Sequence, residues 1–210
     1  MPEISIDFVL RLLACFAAGS FPTAVLAMRG TGIDIRKVGS GNPGFNNVLR
    51  VSKGRAVITL AGDMGKGLLA VWLVTRAGDT AVAGWLYGFA AVLGHCYSPF
   101  LKFNGGKGVA TSGGVMLVLY PFWAAVALAF FAAVRLLGSK RKWAEAGTRA
   151  SLSTWVLFTV LMLAAAGLRD AAMAALMTAF LAWRHRANFQ RLLAPARPMT
   201  ASPSAGSQTV

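Results

Sequence analysis

Acidic side chains are scarce in this chain: seven Asp and Glu stand against 21 Lys and Arg in 210 residues, with only two His and two Cys. Carboxylates and imidazoles so few and so scattered exclude a protein-built metal cage, and no metal or other cofactor is expected. Cys15 and Cys96 both fall inside apolar runs, where a thiol behaves as a small hydrophobe, so a disulfide framework and a cysteine metal site are excluded as well. No Ser-His-Asp arrangement with an evident carboxylate partner is present, which argues against covalent catalysis through an activated serine. Charge of either sign is sparse, at 13% of residues, while 56% are hydrophobic. That balance, with several nearly uncharged runs, is the composition of a polytopic all-α membrane protein. The net charge of +14 does not point to nucleic acid, because the basic residues lie between apolar spans, as in cytoplasmic loops of membrane proteins. Glu3 and Asp7 precede the first basic residue, Arg11, so the first apolar run lacks the basic leader of a secretion signal and reads as a transmembrane helix.

Apolar runs cover about 4–28, 56–76, 80–101, 108–120, 122–138, 151–168 and 171–187. A crossing needs roughly 20 residues; 4–28, 56–76 and 80–101 meet that length, whereas 108–138 is either one long helix or two short ones broken at Tyr120-Pro121. Charge decides between these. With a break there are seven crossings, and the segments 29–55, 102–107, 139–150 and 184–210 share one face carrying sixteen of the 21 Lys and Arg. The opposite face keeps Arg76 and Arg169, each beside an Asp. The positive-inside rule then puts the basic face in the cytoplasm and the N-terminus outside. Within the spans, Asp63 and Lys66 are three apart on one helix face and are expected to pair, with an orienting role near a site as the second reading. Arg11, one to two turns from the outer end of its helix, is expected to snorkel. Residues 1–193 form one integral-membrane domain, and the Pro, Ser and Ala-rich 194–210 a disordered tail.

Four polar segments fall on the basic face. Gly39-Ser40-Gly41-Asn42-Pro43-Gly44 runs on through Asn46 and Asn47 to Arg50, and combines glycine backbone freedom with hydroxyl and amide donors and a guanidinium fork, which suits a phosphate. An ordinary glycine turn explains each of those residues singly. Gly105-Gly106-Lys107-Gly108 opens into a helix and offers free amides plus an ammonium, again an anion site or a turn. Ser151, beginning the sixth crossing, either caps that helix or donates to a ligand. In Arg184-His185-Arg186-Ala187-Asn188, His185 and Asn188 are three apart; the arginines suit lipid headgroups, or a phosphate. Convergence of four distant segments on one face favours phosphate.

Gly-Ser-Gly-Asn-Pro-Gly with Asn-Val-Leu-Arg, Gly-Gly-Lys-Gly-Val-Ala-Thr, Ser-Leu-Ser-Thr and His-Arg-Ala-Asn-Phe-Gln-Arg-Leu, in that order, resemble the motifs of the bacterial acyl-phosphate-dependent glycerol-3-phosphate acyltransferase family. Gly19-Ser20-Phe21-Pro22 and Gly94-His95 do so too, and the resemblance covers about 4–193. It implies a seven-helix fold in the bacterial plasma (inner) membrane, with transfer of a fatty acyl group from acyl phosphate to the 1-hydroxyl of glycerol 3-phosphate, giving lysophosphatidic acid and phosphate. Carried over by position, Ser40, Arg50, Lys107 and His185 would be catalytic. Gly39, Gly41, Asn42, Gly44, Asn47, Gly105, Gly106, Gly108, Ser151 and Asn188 would bind substrate, with Ser40, Gly41 and Asn42 on the acyl-phosphate headgroup. Membrane lipid is the expected surroundings, and the sequence names no protein partner. The chain departs from the family pattern at Phe45-Asn46, where Ala-Thr is usual, at Pro99, displaced by one position, and after Leu192, where the usual Gly and Glu give way to Leu193-Ala194-Pro195-Ala196.

The rival classes are a degenerate, non-catalytic phosphate- or lipid-binding membrane protein and an anion transporter; a transporter would show internal repeats and mid-membrane polar groups, and no repeat is present. Cysteines placed beside Lys107 and beside Arg141 are expected to label from the same, cytoplasmic side in intact cells. Labelling from opposite sides would overturn the arrangement.

Overall fold

The computed structural model describes residues 5–193; the tail read as disordered lies outside them. Among the described residues the fold is entirely helical. Its elements are α1 (Ile6–Gly19), α2 (Thr23–Ala27), α3 (Phe45–Val51), α4 (Lys53–Val74), α5 (Ala81–Cys96), a 3-10 turn at Pro99–Leu101, α6 (Val109–Leu119), α7 (Pro121–Lys140), α8 (Ala146–Ala165), α9 (Leu168–Arg184) and α10 (Arg186–Leu193). Four stretches are long and apolar enough to cross a membrane: Ile6–Ala27, Lys53–Val74, Pro121–Lys140 and Ala146–Ala165. The chain does break at Tyr120-Pro121. Tyr120 leaves helical geometry, and Pro121 takes the first turn of α7, where its missing N–H costs nothing.

Two apolar runs are shorter as helices than as sequence. The first is interrupted at Ser20–Pro22, where the Ser20 hydroxyl donates to Phe16 O at 2.8 Å and Pro22 precludes a continuous helix. The third ends at Cys96; Ser98 then donates to Ser20 O at 2.5 Å, tying one break to the other.

The helices pack α1 on α5, α4 on α6, α7 on α8 and α8 on α9. At the first two crossings the backbones touch at glycine. A Cβ on Gly94 would lie 2.0 Å from Phe16 O, one on Gly19 2.0 Å from Ala91 O, one on Gly67 2.2 Å from Thr111 O and one on Gly114 1.9 Å from Met64 O. Small residues at such contacts drive helix association where lipid is as apolar as the side chains. Apolar bulk points outward instead: on α4, Leu73 is 70% exposed while Asp63 is 2% exposed.

Asp63 is a hub. Its Oδ1 pairs with Lys66 Nζ at 2.9 Å, accepts from the Thr23 hydroxyl and lies 3.3 Å from His95 Nδ1, while Lys66 also donates to Phe21 O at 2.8 Å. The expected Asp63–Lys66 pair is present and joins α4 to α2 and α5. Arg11, expected to snorkel, has its guanidinium held by protein: it pairs with Asp79 at 2.7 Å and Asp7 at 2.9 Å and donates to Val74 O at the end of α4.

A methyl group at Gly114 is expected to overpack the α4–α6 contact and cost about 1–3 kcal/mol, read as a lowered thermal midpoint in detergent. Gly65→Ala, which meets nothing within 4 Å, is expected to leave that midpoint unchanged or raise it. Equal midpoints for the two variants would contradict the packing described.

Candidate active site

The four polar segments close around one cavity of about 380 Å³. Ser40, Asn42, Gly44 and Arg50 come from the first, Lys107 and Gly108 from the second, Ser151 from α8, and His185 and Asn188 from the junction of α9 with α10. One end is polar. The other is walled by Met64 of α4, Met116 of α6, Ala124, Leu128 and Phe131 of α7, and Trp155 and Phe158 of α8.

The first loop is held by Asn47, which is 2% exposed. Its Nδ2 donates to Ile35 O at 2.9 Å and Val38 O at 3.0 Å, and its Oδ1 accepts from Ser40 N at 3.0 Å. All of its amide is spent on the loop. Gly39 and Gly41 adopt φ of 58° and 67°, the left-handed region that glycine enters at low cost, and a Cβ on Gly39 would strike Asn47 Oδ1 at 2.4 Å. Arg50, one helical turn after Asn47, reaches the cavity.

Gly105 and Gly106 differ from the sequence expectation. Their N–H groups donate to Cys96 O and His95 O at 3.0 and 3.2 Å, so they are not turned toward a ligand. A Cβ on either would strike His95, at its carbonyl oxygen or its Nε2. These glycines let the loop fold back on the end of α5, where Arg184 clamps it by donating to Gly106 O at 2.9 Å. The loop thus delivers Lys107 rather than a nest of amides. Ser151 does not cap α8 either: the helix begins five residues earlier, and the Ser151 hydroxyl donates to Gly147 O at 2.7 Å.

Glu145 is a site residue that motif reading missed. It sits ahead of α8 at φ 51°, a backbone region uncommon for a side-chain-bearing residue. Its carboxylate accepts from Asn188 Nδ2 at 2.6 Å, Arg191 Nε at 2.8 Å and the Thr148 hydroxyl at 3.2 Å, and Asn188 Oδ1 accepts in turn from Lys107 Nζ. Partial burial alone would raise the Glu145 pKa; the hydrogen bonds from Arg191, Asn188 and Thr148 outweigh it and hold it below the usual range. Burial lowers Lys107 to about 8, with Glu145 opposing and Arg191, Arg184 and Arg50 reinforcing the shift. Burial likewise lowers His185 to about 4. His185 is therefore neutral at pH 7, with Nδ1–H donating to Leu181 O at 2.8 Å and the Nε2 lone pair unused.

This fold and cavity have relatives. The model of a family described as glycerol-3-phosphate acyltransferase matches residues 9–195. The chain belongs to that family. Similar members include the glycerol-3-phosphate acyltransferase of Aromatoleum aromaticum, 42% identical over 189 residues that make up 89% of this chain and 93% of that one. Glycerol-3-phosphate acyltransferase 1 of Deinococcus radiodurans is 37% identical over 91% of this chain and 94% of its own. Among solved structures, the glycerol 3-phosphate form of PlsY (YgiH), an integral membrane glycerol 3-phosphate acyltransferase, superposes with a TM-score of 0.78 at 29% identity, covering 89% of this chain and 92% of that one. Its lysophosphatidic acid form gives 0.76 at 28%, over 89% and 91%.

Within the acyltransferase family pattern, the departures noted in the sequence acquire places. Phe45 and Asn46 line the cavity, and Asn46 packs so closely on Gly147 that a Cβ there would lie 2.8 Å from its Nδ2. Glu145 reaches α10 through Asn188 and Arg191, just ahead of the point after Leu192 where the chain departs from the family pattern. No residue pattern near 145 signals this, since a lone Glu in a basic loop has no motif. Amine labelling of Lys107 against pH, read by peptide mass spectrometry, is expected to have a midpoint near 8. In Glu145→Gln the midpoint moves lower, because the neighbouring negative charge that favours the ammonium is gone. An unmoved midpoint would mean that Glu145 does not act on Lys107.

Proposed function

We propose that this protein transfers a fatty acyl group from acyl phosphate to the 1-hydroxyl of glycerol 3-phosphate, releasing lysophosphatidic acid and phosphate. The observation that carries this reading is a single cavity with a cationic end built from Arg50, Lys107 and their polar neighbours and an apolar end built from α4, α6, α7 and α8. Two anionic substrates, one with a long apolar chain, match both ends. Seven crossings of the bacterial inner membrane, with the N-terminus outside, place the cationic end at the cytoplasm, where glycerol 3-phosphate is soluble, and the apolar end in register with lipid.

In this mechanism Lys107 and Arg50 neutralise the glycerol phosphate, with Asn188 holding Lys107 in place. Ser40 and Asn42 face the donor's phosphate, and Ser151 rotates off Gly147 O to meet an anionic oxygen. Gly39, Gly41 and Asn47 keep the first loop in shape. The substrate hydroxyl hydrogen-bonds to His185 Nε2 and attacks the acyl carbon; a C–O ester bond forms and the acyl C–O bond to phosphate breaks. His185, at about 4, is a weaker base than a phosphate ester's second ionisation, at about 6. The hydroxyl proton therefore comes to rest on the departing phosphate, and His185 orients rather than stores it.

Purified protein given acyl phosphate and glycerol 3-phosphate is expected to release both products, and Lys107→Ala to lower kcat/KM on the order of 10²-fold or more, as for loss of a preorganised charged donor. Because free Lys107 loses its charge near pH 8, kcat/KM should fall as pH rises through that value. Turnover with acyl-CoA and none with acyl phosphate would refute the donor; undiminished activity in Lys107→Ala would refute the site.

A further inference from the structure

Four cations line the cavity, and two are already engaged: Lys107 by Asn188, and Arg191 by Glu145. The other two, Arg50 and Arg135, have no carboxylate partner among the described residues. Arg135 was not singled out by any motif. It lies on α7, and its Nε is buried with no hydrogen-bond partner. A guanidinium that only snorkelled to headgroups from near a helix end would turn its donors to water. Arg135 is only partly exposed and keeps its Nε buried, and an unmet buried donor is costly unless a ligand meets it.

The same face of α7 continues inward. Arg135 is followed at helical spacing by Phe131, Leu128 with Ala127, and Ala124, all on the cavity wall. From Arg135 to Ala124 is eleven residues, about 16 Å along the helix. One wall thus presents a cation at its head and an unbroken apolar stripe beneath it, the outline of a molecule with an anionic group fixed to a long chain. Arg50, by contrast, stands on α3 next to the glycine loop and continues into no such stripe.

We propose that Arg135 binds the phosphate of the acyl-phosphate donor, whose chain runs along Phe131, Leu128 and Ala124, while Arg50 and Lys107 serve glycerol 3-phosphate. This rests on acyl phosphate being the donor. Two phosphates then have two guanidinium groups that no carboxylate engages among the described residues, on different helices of the cavity lining. A bidentate fork on the donor phosphate holds the acyl carbon at a fixed depth and stabilises the charge gathering on the leaving group.

The experiment is steady-state kinetics of full-length wild type, Arg135→Met and Arg135→Lys in detergent, varying palmitoyl phosphate and glycerol 3-phosphate separately. Arg135→Met is expected to raise KM for palmitoyl phosphate about tenfold or more, with KM for glycerol 3-phosphate within twofold of wild type, and Arg135→Lys to recover part of the loss. An unchanged KM for palmitoyl phosphate, an equal rise for both substrates, or a lysine variant no better than methionine would each overturn the assignment; the last two are what a structural or lipid-anchoring arginine gives. Wild type inactive with palmitoyl phosphate yet active with palmitoyl-CoA sinks the donor reading itself, a result separable from failure of Arg135 alone.

Discussion

Helix backbones in this protein touch at glycine, and the placement of everything else follows from that contact. Lipid offers no solvophobic force between apolar helices, so association depends on close van der Waals approach and on interhelical polar bonds. Gly67 and Gly114 bring α4 and α6 to backbone contact, Gly19 and Gly94 do the same for α1 and α5, and Gly105 and Gly106 press the loop before α6 onto His95. A short helix such as α6, 11 residues long, is thereby walled in by protein, and its leading loop is fixed firmly enough to hold Lys107 at a chosen depth. The glycines of the second motif work as spacers for a cation.

A second constraint is the shortage of carboxylates. With seven acidic residues in the chain, each buried one serves several partners. Asp63 gathers Thr23, Lys66 and His95 on one side of the cavity, and Glu145 gathers Thr148, Asn188 and Arg191 on the other. These two hubs hold the cavity walls and, although Glu145 takes up Arg191, they leave Arg50 and Arg135 without a carboxylate partner among the described residues. An excess of positive charge is left for anionic substrates, and burial leaves Lys107 near 8, so that its ammonium persists at neutral pH yet is poorly solvated and ready for a phosphate.

Much of the site was legible because its chemistry is local. Arg50, Lys107, His185 and Asn188 stand in short motifs, and they do meet in one cavity. Gly105 and Gly106 were misread as amide donors because a glycine loop before a helix looks alike whether its N–H groups face a ligand or the end of another helix; only the position of α5 tells them apart. Of the two readings of Ser151 the cap fails, because helix boundaries depend on where the preceding loop is held, and here Glu145 holds it. Glu145 and Arg135 were invisible for one reason: each matters through what lies across the cavity, and neither has a neighbour in sequence that shares its task.

The amino-acid sequence by itself determined the membrane character of the chain, the break at Tyr120-Pro121 and the family, since these rest on hydropathy, on proline's missing N–H and on ordered motifs. The tertiary structure alone decided which amides are free, which carboxylate steadies Lys107 and which guanidinium groups remain unpaired. The physical reason is that hydrogen-bond partners and desolvation are set by distances between segments some tens of residues apart, and no local pattern encodes those distances.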